Sequence, residues 1–214
     1  KPVELAGSVI SRATLHNADQ IERQDIRIGD SVWIVKAGDV IPAVESVIVD
    51  KRTGSELKFE MPDNCPVCGG KLGKIEGEVA IRCFNPSCKA QLQRRLEHFA
   101  GRNALDITNL GGRVADILVD KGLVTDVLDI FELDYSSLSE LDVGDEASPR
   151  KFGKNAEAMR QGVEKARTLP LDRWLFAIGI SNVGTTVARD IALEHEDMKS
   201  LSGSAILKNV LEND

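Results

Sequence analysis

The chain has 214 residues, of which 42% are hydrophobic but only 4% aromatic, with a formal net charge of −7. That is enough apolar material for packed cores built on Leu, Ile, Val and Ala, and room for one large or two to three small domains. No apolar run approaches the roughly 20 residues of a membrane span, and Lys1-Pro2-Val3-Glu4 does not open a secretory leader, so the reading is a cytoplasmic, non-membrane protein.

Residues 1–62 read as strands. Val9-Ile10, Ser31 to Val35 and Val44 to Val49 are rich in β-branched residues, and Gly29-Asp30 and Gly38-Asp39 mark turns between them. Asn17 to Arg23 reads as a short helical turn with Asn17 as its cap. Several short strands with tight turns predict a small β-barrel, with Trp33, like Trp174 further on, assigned to the core.

Residues 63–90 carry all four cysteines as Cys65-x2-Cys68-x14-Cys83-x4-Cys88, around one apolar run, Val79-Ala80-Ile81. So little apolar area cannot make an independent core. Two close pairs joined by a hairpin suit tetrahedral Zn²⁺, each pair spanning one edge, and four protein ligands make the metal structural. Pro66 and Gly69 suit a knuckle whose amides turn toward the sulfurs, while Arg82 and Lys89 would offset thiolate charge. Two disulfides or four thiols are the alternatives. A chain without a secretory leader disfavours the first.

From Ala90 the pattern turns helical: Leu92, Leu96 and Phe99 share a face, and further helices are predicted over 154–167, 171–178 and 185–195. Glycine-bearing turns separate them. The strongest, Gly179-Ile180-Ser181-Asn182-Val183-Gly184-Thr185-Thr186-Val187-Ala188, fits a helix-hairpin-helix, in which backbone amides at a turn and the next helix start bind phosphate. Glycine there is expected at positive φ, with no Cβ to block the ligand. Asn109-Leu110-Gly111-Gly112-Arg113-Val114-Ala115 is a second candidate, and Lys151-Phe152-Gly153-Lys154-Asn155-Ala156 a weaker third. Each alone fits a plain capping turn; the series points to DNA. Charge does not oppose this. Residues 65–104 hold 7 Lys and Arg against 3 Asp and Glu, whereas residues 105–214 hold 12 against 20, so amides rather than cations would carry contacts there. His16, His98 and His195 lack nucleophile or metal spacing.

Ser11 to Asn17, Asp25 to Asp30, and Lys36-Ala37-Gly38-Asp39-Val40-Ile41-Pro42, followed by the four-cysteine module, His98-Phe99 and Arg102 to Ile107, resemble the NAD-dependent DNA ligases. The resemblance implies a multidomain chain: an OB-fold over 1–62, incomplete at its start, a four-cysteine zinc finger over 63–90, and an all-α helix-hairpin-helix domain over 91–214, ending before a fourth hairpin and a BRCT-like domain. It implies double-stranded nicked DNA as partner of a monomer, with Lys36 on the backbone and Val40 and Ile41 against the distorted nick, where strand core is the competing reading. DNA contacts would come from Gly111, Gly112, Gly153, Val183, Gly184 and Thr185. NAD and Mg²⁺ would serve the parent enzyme in replication and repair. The family's adenylated lysine lies in Lys-x-Asp-Gly, and no Asp-Gly pair occurs here, so this segment alone is expected to be inactive. Ser181 replaces a common Arg, and Gly144 to Arg150 is irregular. A stand-alone DNA-binding module and a zinc-ribbon scaffold for protein partners are the alternatives.

Overall fold

A computed structural model describes residues 2–5, 7–38, 41–145 and 147–204, in two compact units, Lys1–Asn85 and Pro86–Asp214. In the first unit, β1 (Val3–Leu5) pairs antiparallel with β2 (Ser8–Ile10). Then α1 (Ala18–Arg23) starts where the Asn17 side chain accepts the Gln20 amide at 2.9 Å, the cap the sequence predicts. β3 (Arg27–Ile28) is followed by the main hairpin, β4 (Val32–Ala37) with β5 (Ile41–Val47), in register from Val32 opposite Val47 to Ala37 opposite Ile41. Between the Trp33–Ser46 and Ile34–Val44 pairs the register shifts, leaving Glu45 of β5 as a bulge, and Thr14 bridges to Ala43. β6 (Leu57–Lys58) returns to pair with β3. Among the described residues these strands pair two by two. Ala43 and Val44 of β5 are buried.

Two expectations change here. The strand expected to reach Val49 ends at Val47, because the chain turns into a 3-10 segment, Val49–Lys51, carrying Arg52 toward Asp30. Trp33 is 61% exposed rather than core. Plain alternation along β4 puts it on the outer face, opposite half-buried Val32 and Ile34. Within the cysteine segment, β7 (Leu72–Lys74) pairs antiparallel with β8 (Ile81–Cys83).

The second unit is helical. It runs α2 (Lys89–Ala100), α3 (Gly112–Asp120), a 3-10 turn Val127–Phe131, α4 (Tyr135–Leu138), α5 (Lys154–Ala166), α6 (Leu171–Ile178), α7 (Thr185–Glu194) and α8 (Met198–Ser202). Leu96 and Phe99 of α2, Leu118 of α3, Ile130, and Met159 and Val163 of α5 bury into one core. Trp174 packs on it as predicted, edge-on to Phe99 with centroids 5.9 Å apart. A smaller cluster of Leu171, Leu175 and Ala188 joins α6 to α7. A small side chain at 188 admits this close approach. Among the described residues no helix is long and apolar enough to cross a membrane.

Candidate metal centre and nucleic-acid interface

The ligand atoms of Cys65, Cys68, Cys83 and Cys88 all lie within 4.8 Å of one another. Cys68 Sγ and Cys83 Sγ are 3.5 Å apart, too far for an S–S bond of about 2.05 Å and close to the edge of about 3.8 Å that four Zn–S bonds of about 2.3 Å imply. The knuckle forms as the sequence predicts. Gly69 takes φ 70° and donates to Cys65 O at 2.8 Å, and the Gly70 amide points at Cys68 Sγ at 3.4 Å. The Asn85 amide favours the Cys83 thiolate, but partial burial and the neighbouring sulfurs of Cys68 and Cys65 outweigh it, pushing this thiol up to about 11. Sulfurs packed so closely carry protons or share a cation. The donor set fits a structural Zn²⁺. Arg82 does not lean toward the sulfurs, because its guanidinium is bonded to Glu78 at 2.7 and 2.9 Å.

The glycine turns divide into two kinds. In the first, Asp106 (φ 54°) and Asn109 (φ 66°) are left-handed, and Gly111 caps α3 at φ −90°, ψ 177°. In the second, Gly179 (φ 73°) and Asn182 (φ 65°) are left-handed, and Gly184 caps α7 at φ −78°, ψ 179°. The bonds match too: Leu110 N to Ile107 O and Val183 N to Ile180 O, then Ala115 N to Gly111 O and Ala188 N to Gly184 O. These are two copies of one hairpin, 73 positions apart. Positive φ therefore does not explain Gly111 or Gly184, contrary to expectation; the turn is made two residues earlier. A Cβ on either glycine would meet nothing within 4 Å. Neither helix start has a side-chain cap bond, and Gly111, Gly184, Thr185 and Thr186 are exposed. Such an end offers amides outward. Gly112, half-buried, follows Gly111 into α3, and half-buried Val183 packs on the α6–α7 cluster. Gly153 differs: it takes φ 55°, ψ −129° at the α5 cap, and its amide is committed to Ser139 O at 2.8 Å.

In the first unit, Lys36 lies on β4 opposite Pro42, and its side chain is half-buried. Ile41, the first residue of β5, is 58% exposed, which sets the strand-core reading aside for it. Val40 lies outside the described residues.

The profile of the NAD-dependent DNA ligase OB-fold domain matches residues 1–56, and that of the NAD-dependent DNA ligase C4 zinc finger domain matches residues 64–90. Over those residues the chain belongs to the NAD-dependent DNA ligase family. Similar curated proteins are the DNA ligases of Pseudothermotoga lettingae, 47% identical over 96% of the chain, Akkermansia muciniphila, 42% over all of it, and Bacillus subtilis, 43% over 94%. The chain spans 28–30% of the length of these ligases. The ligase zinc-finger match takes in all four thiols, and the OB-fold match takes in Lys36 and Ile41. The left-handed residues at 106, 109 and 182 of this ligase segment are not glycines, so a pattern of glycines alone misses them. Laying Asp106-Ile107-Thr108-Asn109-Leu110-Gly111 over Gly179-Ile180-Ser181-Asn182-Val183-Gly184 aligns Ile, Asn and Gly and reveals them.

Proposed function

We propose that this chain is the DNA-gripping, non-adenylating segment of an NAD-dependent DNA ligase that seals nicks in duplex DNA during replication and repair. The observation that carries the proposal is the duplicated hairpin, two exposed, uncapped helix starts of one geometry, in a chain that also holds the ligase OB-fold and zinc-finger matches. In this reading the amides at Gly111, Gly112, Gly184 and Thr185 bind phosphates, and Val183 seats its turn on the helix pair. Lys36 supplies a cation, and Val40 and Ile41 lie against the widened minor groove. Gly153, its amide spent on Ser139 O, shapes the α5 turn and makes at most a peripheral contact. Zn²⁺ on Cys65, Cys68, Cys83 and Cys88 holds a segment that lacks a core of its own. NAD and Mg²⁺ act elsewhere in a monomeric, cytoplasmic parent enzyme.

The test uses Gly184→Asp. Its backbone, extended and at negative φ, is what an Asp cap prefers, and the space is open. The variant should melt no lower than the parent chain. A carboxylate in the phosphate position nonetheless repels the ligand and occupies the amides. Losing charge-assisted hydrogen bonds of about 1.5–3 kcal/mol should cut affinity for a nicked duplex about tenfold or more. Binding as tight as the parent's would reduce this hairpin to a structural turn.

A further inference from the structure

Gly162 lies inside α5, where glycine is the poorest helix former short of proline. An ideal Cβ there would come within 3.1 Å of Thr108 N, 3.4 Å of Ile107 Cα and 3.5 Å of Ile107 Cγ2. Ile107 and Thr108 are the two residues between the left-handed Asp106 and Asn109, so α5 touches the backbone of the first hairpin at its bend. Arg113, in the first turn of α3, fixes the other side: its Nε donates to Val143 O at 2.6 Å, and its guanidinium also reaches Gly144 O. The counterpart of Arg113 in the second hairpin is Thr186, exposed and too short for such bonds. The two hairpins share a backbone but not a buttress.

We infer that Gly162 is a positioning residue for DNA binding: by letting α5 abut Ile107-Thr108, it sets the bend from which Gly111 and Gly112 offer their amides. This rests on the hairpin reading above. A methyl group at 162 favours the helix yet pushes the bend outward by a few tenths of an ångström. Hydrogen bonds to a docked phosphate are sensitive to such a shift.

The experiment uses the zinc-loaded 214-residue chain and a fluorescent nicked duplex, with Gly162→Ala alone and combined with Gly111→Asp or Gly184→Asp. Gly162→Ala should weaken binding about threefold to tenfold, the net value of roughly one hydrogen bond. The loss should vanish in the Gly111→Asp background and persist with Gly184→Asp, because only the first hairpin is displaced. Amide NMR shifts should concentrate at residues 106–113, with the melting temperature of the parent kept. Equal losses in both backgrounds, unchanged affinity, or early melting would overturn the inference. Should Gly111→Asp alone leave affinity intact, the phosphate-binding reading of the first hairpin fails, a result distinct from failure of Gly162→Ala.

Discussion

Asp30 shows how one side chain can tie down a turn. It is 1% exposed, accepts the Arg27 amide at 2.7 Å, and takes Arg52 Nε at 2.8 Å and Nη2 at 2.9 Å. Hydrogen bonds from Arg52, chiefly, outweigh the cost of burial and hold its carboxyl at about 2. The partner Asp25 is also lowered, by Arg27 and then Arg52. A folded pKa below the unfolded value, about 3.9, means stability that is fully present above that value and is lost as pH falls toward 2. The first unit should therefore become easier to unfold between about pH 4 and pH 2. Following the amide signals of β4 and β5 through an acid titration with denaturant tests this. In Asp30→Asn the dependence should flatten across that window, while stability at neutral pH falls because Arg52 loses its buried charged acceptor and keeps only the exposed Asp25 carboxylate. An equally steep acid loss in that variant would show that other carboxylates govern it.

At the scale of elements, the cysteine segment is the one that cannot hold itself. Within residues 63–89 the buried residues are Cys65 and Cys88, and the β7–β8 hairpin presents Val79 to solvent. Binding energy at the four thiols is therefore folding energy for this segment. Metal analysis should give one zinc per chain. A strong chelator should abolish hydrogen-exchange protection in β7 and β8 and fray the first turn of α2 beyond Cys88, while α5 to α7 keep their helical signal. Absence of zinc, or loss of all helices together, would sink the metal assignment. This segment is the most legible in the sequence, because two cysteine pairs at that spacing admit few geometries. Asn17 and the helix over 154–166 are legible for a similar local reason: a capping side chain and a 3.6-residue period need no tertiary information. Trp33 is not, because alternation sets it apart from Val32 and Ile34 but does not say which of the two faces meets the core. Nor is the reason for Gly184, whose glycine pattern fixes where a hairpin lies but not which residue bends. An isolated glycine inside a helical pattern, Gly162, is the unread signal for close backbone approach.

For the whole molecule, charge and the proposed grip on DNA pull in opposite directions, and salt dependence decides how they are reconciled. Residues 105–214, which contain both hairpins, hold 20 acidic against 12 basic residues. Several of the arginines there are already engaged: Arg113 on Val143 O, Arg160 on Glu157, and Arg173 on Ala104 O. A surface like this repels a duplex at long range and has few cations left to displace counterions. Backbone amides bind phosphate without adding net charge, so the proposed contacts through Gly111 and Gly184 would leave counterion release small. Each phosphate neutralised by a cation contributes about −0.9 to the slope of log affinity against log salt. With Lys36 and a few basic residues from the 65–104 stretch engaged, the slope should be no steeper than about −3. Gly184→Asp should lower affinity at every salt concentration while leaving the slope nearly unchanged, since no cation is removed. Titrations of a fluorescent nicked duplex from low to moderate salt measure both quantities. A slope of about −6 or steeper would mean that side-chain cations neutralise most of the contacted phosphates, and the hairpin amides would lose their place as the source of affinity.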